Sequence, residues 1–195
     1  MLFSTMLLVA QPLYFPPRYV DPQIHCFGRG KAIPVVTAFE RDWYGKHLRA
    51  AAEPSLYAMA VRGSADSLRF TWLPSFDAPV IVRVEGLAGR APRLLAVRLT
   101  GQGGYEPGAI ADRVDRPLTS AEASDLRRRL IAANPLAITP AECGGGGLDG
   151  AQWLVERSIG HRYRLTVRWS PEHGAVRATG MAMLRLTGWR FDAIY

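Results

Sequence analysis

The chain has 195 residues, an apolar fraction of 48% and a net charge of +7 from 24 Lys+Arg against 17 Asp+Glu. Those values describe a globular chain able to bury roughly two thirds of the surface its unfolded form exposes, and they exclude a disordered polymer. Two cysteines, Cys26 and Cys143, are too few for a disulfide framework, and with four scattered histidines they show no zinc-ligand spacing, so neither a metal nor a cofactor is expected.

Lys31 and Lys46 are the only lysines, so 22 of the 24 cations are arginine. GC-rich codons produce that bias without selection for binding. A basic patch is equally the electrostatic footprint of nucleic acid, anionic lipid or an acidic protein partner. No uninterrupted basic run exceeds Arg127 to Arg129, and no apolar run is long enough to span a bilayer.

The first ten residues end in Leu7, Leu8, Val9 and Ala10 and resemble the apolar part of a signal peptide, although no cation precedes Arg18. An exported, periplasmic protein is the expectation, and in that setting Cys26 and Cys143 could bridge. Pro12, Pro16, Pro17 and Pro22 then make residues 1–30 an extended segment ahead of a single α+β domain over 31–195. His25 beside Cys26 has no further ligand nearby in sequence and reads as structural.

Thr37 to Ala52 reads as a helix, with Phe39, Trp43, Tyr44, His47 and Leu48 at helical spacing and Thr37 with Glu40 as a capping box. Glu53 and Pro54 end it. Residues 55–100 read as strands: Leu68, Phe70 and Trp72, then Val80, Val82 and Val84, then Leu95, Val97 and Leu99 recur at every second position. Gly101 to Pro117 reads as a loop around Tyr105 and Glu106, without the lysine and hydroxyl of a phosphate loop. A second helix covers Ser120 to Ala133, capped by Thr119 with Glu122.

Cys143 to Pro171 follows, a glycine-rich entry into a hairpin. Tyr163, Leu165, Val167 and Trp169 alternate with Arg162, Arg164, Thr166 and Arg168. A three-residue loop, Ser158 to Gly160, would set Val155 against Tyr163, Trp153 against Leu165 and Glu156 against Arg162, keeping apolar opposite apolar; a two-residue loop would mix the faces. Ser170 and Pro171 then start a third helix carrying Val176, Gly180, Met183 and Leu184, whose methionines are packing; a strand through the same residues is the lesser reading.

The fold class is therefore α+β: an antiparallel β-sheet, a meander plus a C-terminal hairpin, packed with about three helices. The WYGKHLRAAAEPSL, GGYEPG, DGAQW and RWSP blocks and the Phe70 to Pro79 run resemble a family of uncharacterised bacterial proteins over Phe39 to Gly188. That resemblance implies a single bacterial domain and no particular chemistry.

No GxSxG or other nucleophile signature is present, so the expected function is a non-catalytic protein-interaction module, of the inhibitor or immunity type. Its binding residues are expected among Tyr105, Gln152, Arg164, Arg168, Arg83 and Arg98, on an arginine-bearing sheet face, with Arg69, Glu85 and Glu156 on the same side, or on the glycine-rich loops. The alternatives are a hydrolase-like enzyme assembled from His47, Glu106, Asp149 and Glu156, and a nucleic-acid binder.

Overall fold

The structure is a computed structural model that describes residues 13–28, 30–144 and 146–195; the signal-like start over 1–10 lies outside them. Among the described residues six antiparallel strands form one sheet: β1 (Ala65–Pro74), β2 (Val80–Glu85), β3 (Arg93–Leu99), β4 (Ile110–Pro117), β5 (Ala151–Gly160) and β6 (Arg162–Trp169), in the spatial order β4-β3-β2-β1-β5-β6. The first four are a meander, and the β5–β6 hairpin docks on the free side of β1. No helix among the described residues is long and apolar enough to cross a membrane.

Both sheet faces are covered. Helix α3 (Ser120–Ala133) and helix α4 (Gly174–Leu186) lie on the face that carries Leu68, Phe70, Trp72, Val82 and Trp153. Helix α1 (Ala38–Ala50) and the N-terminal segment lie on the other, over Leu73, Ile81, Val97, Leu154 and Val167. Both α1 and α3 start in full capping boxes, Thr37 with Glu40 and Thr119 with Glu122, which satisfy the orphan N–H groups of the first turn. Gly180 lets α4 sit directly on the sheet, since a Cβ there would stand 2.5 Å from Trp153 and 2.6 Å from Phe70.

The N-terminal segment runs as a strap. After a short 3-10 turn at Pro17–Val20, Ile24 and Ile33 form an isolated bridge and the Val35 and Val36 N–H groups donate to Tyr19 O. Cys26 is disulfide-bonded to Cys143, tying the strap to the segment that enters β5.

Four expectations are corrected. The hairpin loop has two residues, Gly160 and His161, and the register sets Trp153 against Arg168, Val155 against Thr166 and Glu156 against Leu165. The face-matching rule behind the three-residue loop fails because both faces of β5 are buried, so a cross-strand partner need not be apolar. Gly160, with φ +52°, takes the first turn position that glycine-led two-residue hairpins require. Second, residues 110–117 are a strand, β4, missed because a solvated edge strand carries little apolar alternation. Third, Leu56–Val61, within the run read as strands, form a short helix, α2. Fourth, α4 begins at Gly174, because Ser170 closes β6: its N–H donates to Ala151 O (2.8 Å) and its Oγ accepts from Ala151 N–H (2.8 Å).

Candidate functional site

The arginine positions do not share a face. The register places Arg69 against Arg83 and Glu156 on the α1 side, while Arg98 stands against Val80, Arg164 against Arg157 and Arg168 against Trp153 on the α3/α4 side. Alternation within each strand was legible; the phase between strands was not, because it depends on turn lengths.

On the α1 side the charges neutralise one another. Arg69 is wholly buried and forks onto Glu156, with Nε donating to Oε2 at 2.7 Å and Nη2 to Oε1 at 2.8 Å. Its Nη1 donates to Pro54 O at 2.7 Å and reaches Glu53 at 3.4 Å. Arg83 donates to the same Glu53 carboxylate at 2.8 Å and pairs with Glu85. Tyr163 completes the cluster by donating to Glu156 Oε1 at 2.8 Å. Burial alone would lower the Arg69 pKa, but the Glu156 charge and hydrogen bonds outweigh it and hold the guanidinium more firmly charged; burial, reinforced by Glu156, pushes the Tyr163 phenol well up. Glu53 is the partner that sequence reasoning missed: beside Pro54 it reads only as the end of a helix.

On the other side Arg98 pairs with Asp112 (Nε to Oδ2, 2.8 Å) and lies over the Trp189 ring. Arg164 donates to Leu136 O (3.1 Å) and Arg168 to Thr139 O (2.7 Å), so both hold the chain between α3 and β5 against β6. Gln152, by contrast, faces the α1 side beside Leu73, buried at the start of β5, and its amide oxygen has no hydrogen-bond partner among the described residues.

The four residues of the enzyme alternative are dispersed. His47 and Glu106 come to one junction, where the loop after β3 docks on α1: Lys46 pairs with Glu106 at 2.8 Å, Trp43 Nε1 donates to Gly103 O at 2.8 Å, and His47 Nε2 lies 3.5 Å from Gln102 O. His47 is wholly buried with Nδ1 3.0 Å from Trp43 O; burial lowers its pKa against the opposing pull of the carbonyls. Its ring presents no surface to a substrate. Glu156 is committed to Arg69 and Tyr163, and Asp149 lies exposed in the glycine-rich approach to β5. No hydrogen bond or ion pair among the described residues joins any two of the four.

What the fold does assemble is the end of the sheet where β1 turns into β2. The antiparallel order brings the loop after β3 (Thr100 to Ala109), the approach to β5 and the end of β6 to the same place. Ser75 is the shared anchor: its N–H donates to Gly150 O at 2.7 Å, its Oγ accepts from Gly150 N–H at 3.2 Å, and Gly104 packs so close that a Cβ would stand 2.8 Å from Ser75 O. Gly103 is equally constrained against Pro74, and donates its N–H to Asp77 O at 3.0 Å. Glycines here serve close backbone approach.

This scaffold presents aromatic rings. Tyr105 is 57% exposed and Phe76 52%, their centroids 6.3 Å apart, and Gln102 Nε2 donates to Phe76 O at 3.2 Å. Phe39 and Trp43 continue the surface along α1, 5.9 Å apart, with Trp43 fixed through Gly103. Tyr195 joins from the C-terminal side, its hydroxyl donating to Asp77 at 2.7 Å; burial and that carboxylate push its pKa up to about 12. Two clefts open at this end, of about 180 Å³ beside Asp77 and about 240 Å³ beside Glu142 and Trp169. Both are below the usual size of small-molecule sites. Among these residues the sequence pointed to Tyr105; Phe76 and Ser75 sit in a turn that offers no periodic signal.

No protein-family model matches the chain, and no curated protein matches it either.

Proposed function

We propose that the protein is a non-catalytic protein-binding module whose contact surface is the loop end of the sheet, centred on Tyr105 and Phe76 and extended by Trp43 and Phe39. One observation carries this reading: two glycine-rich loops, remote in sequence, meet on the turn between β1 and β2, one hydrogen-bonded to Ser75 and the other to Pro74, Phe76 and Asp77, and Tyr105 of one loop stands exposed beside Phe76 of the turn. Rigid aromatics with few rotamers lose little entropy on contact and dominate the energetics of protein interfaces. The small size of the two clefts at this end of the sheet and the dispersal of His47, Glu106, Asp149 and Glu156 favour a contact surface here over a reaction centre. The ion pairing of Arg69, Arg83 and Arg98 favours a protein partner over nucleic acid.

A photo-crosslinking amino acid at Tyr105 should capture a defined protein from extracts of the producing cell, and the same probe at Ile131, exposed at the far end of α3, should not. The Phe76→Ala, Tyr105→Ala double variant should bind the captured protein about tenfold or more weakly. Its stability should stay within about 0.5 kcal/mol, because both rings are half exposed. Equal capture from both positions, or undiminished binding by the double variant, would overturn the assignment.

A further inference from the structure

Among the described residues strand β4 is an open edge: it pairs with β3 alone, and Ala111, Arg113, Asp115 and Pro117 are exposed along it. The other edge strand differs: β6 is sealed by the chain between α3 and β5, with Val167 N–H donating to Pro140 O at 2.7 Å and Thr166 Oγ to Pro135 O at 2.9 Å. Unpaired strand edges are templates for further strands unless something blocks them.

The hydrogen-bond phase of β4 follows from its last pair. Leu118 N–H donates to Pro92 O at 2.9 Å, so the alternation directs the backbone groups of Arg116, Val114 and Asp112 towards β3. Those of Arg113 and Asp115 point outward, and a bulge at Ala111, opposite Arg98 and Leu99, ends the alternation there. A second strand can therefore bond only through these odd-numbered residues.

The side chains select which strand fits. The run Asp112-Arg113-Val114-Asp115-Arg116 is complementary to itself when read antiparallel about Val114: Arg113 meets Asp115 of a second copy, Asp112 meets Arg116, and Val114 meets Val114. Both members of the Arg113/Asp115 pair have outward backbone groups, so they would exchange two hydrogen bonds, and the symmetric pair two more. Sliding by one step to either side that preserves this phase sets Arg113 against Arg113 or Asp115 against Asp115. Only one register satisfies backbone and charge together. Asp112, Asp115 and Arg116 also pair within the chain, with Arg98, Arg93 and Glu122, whereas Arg113 makes no ion pair among the described residues, so the Arg113/Asp115 pairs carry the charge selection.

We propose that a second copy of this chain docks here, β4 against β4 about a twofold axis at Val114, forming a continuous twelve-stranded antiparallel sheet. The interface is isologous, as closed dimers require, and it leaves the loop end of each copy free.

The full-length protein should behave as a dimer in sedimentation equilibrium and dissociate as salt rises. Arg113→Glu turns two attractive cross-strand pairs repulsive and should weaken the dimer roughly tenfold or more. Adding Asp115→Arg to that variant restores opposite charges and should restore the dimer. In the wild-type background, Val114→Cys should be captured as a covalent dimer by a short thiol-reactive crosslinker, since cross-strand pairs at such a site are within direct reach. A wild-type protein that stays monomeric at every accessible concentration would overturn the proposal. So would an Arg113→Glu protein as dimeric as wild type. A double variant with a native melting transition that remains monomeric would do the same.

Discussion

Replacing Glu156 by Ala should destabilise the fold by roughly 3–5 kcal/mol, because the wholly buried Arg69 guanidinium keeps its charge and loses the carboxylate that faces two of its N–H groups. Pro54 O and the more distant Glu53 cannot replace that fork, and the Tyr163 hydroxyl loses its acceptor as well. The Arg69→Met, Glu156→Leu pair should cost clearly less than either of those replacements alone, since removing both charges leaves neither one unpaired in the interior and only the neutral Tyr163 hydroxyl and Pro54 O lose a partner. Urea unfolding of the four proteins of this cycle measures the coupling. A Glu156→Ala cost of no more than about 1 kcal/mol would show that water reaches Arg69 and that the cluster is not the dry pair the geometry describes.

Loss of the Cys26–Cys143 bond should lower stability by about 2–5 kcal/mol, the upper end following from the 117-residue separation that the bond closes in the unfolded chain. The effect should fall on the strap and on the approach to β5, the two segments it joins. Thermal melts of the wild type with and without reductant, beside the Cys26→Ser, Cys143→Ser protein, separate the bond from general reductant effects: the double variant should melt like the reduced wild type and ignore reductant. A wild-type melting temperature unchanged by reductant would remove the bond from the account. Such a crosslink persists in oxidising surroundings.

Several elements could be read in the residues because local chemistry determines them. Helix α3 runs over Ser120–Ala133 as its Thr119/Glu122 box and the Asn134-Pro135 stop dictate, and α1 begins where Thr37 and Glu40 place it. The strands β1 to β3 follow from their alternation. The failures have a common origin, since alternation reports the burial of one face, and this sheet buries two. Trp153 and Leu154 are adjacent and both fully buried, so the rule that matched Trp153 to Leu165 had no purchase, and the true partner is Arg168. At β4 the opposite holds: alternate residues are exposed and the rest half covered, which in sequence looks like a loop. Of the site, Tyr105 was legible as an aromatic among glycines. The role of Ser75 was not, because it comes from backbone contacts to two segments remote in sequence.

The strand order carries a consequence for how the chain comes to be folded. β1 is completed on one side by β2, its neighbour in sequence, and on the other by β5, with Arg69 and Glu156 87 residues apart. The meander and the β5–β6 hairpin can each form from local contacts, but joining them means closing a long loop, so the seam between β1 and β5 is expected to form after the rate-limiting step. Glu156→Ala should then act chiefly on the unfolding rate, while Val82→Ala, in the meander, should slow folding. Chevron plots of the two variants test this, and a Glu156→Ala protein that folds as slowly as it is destabilised would put the seam in the nucleus.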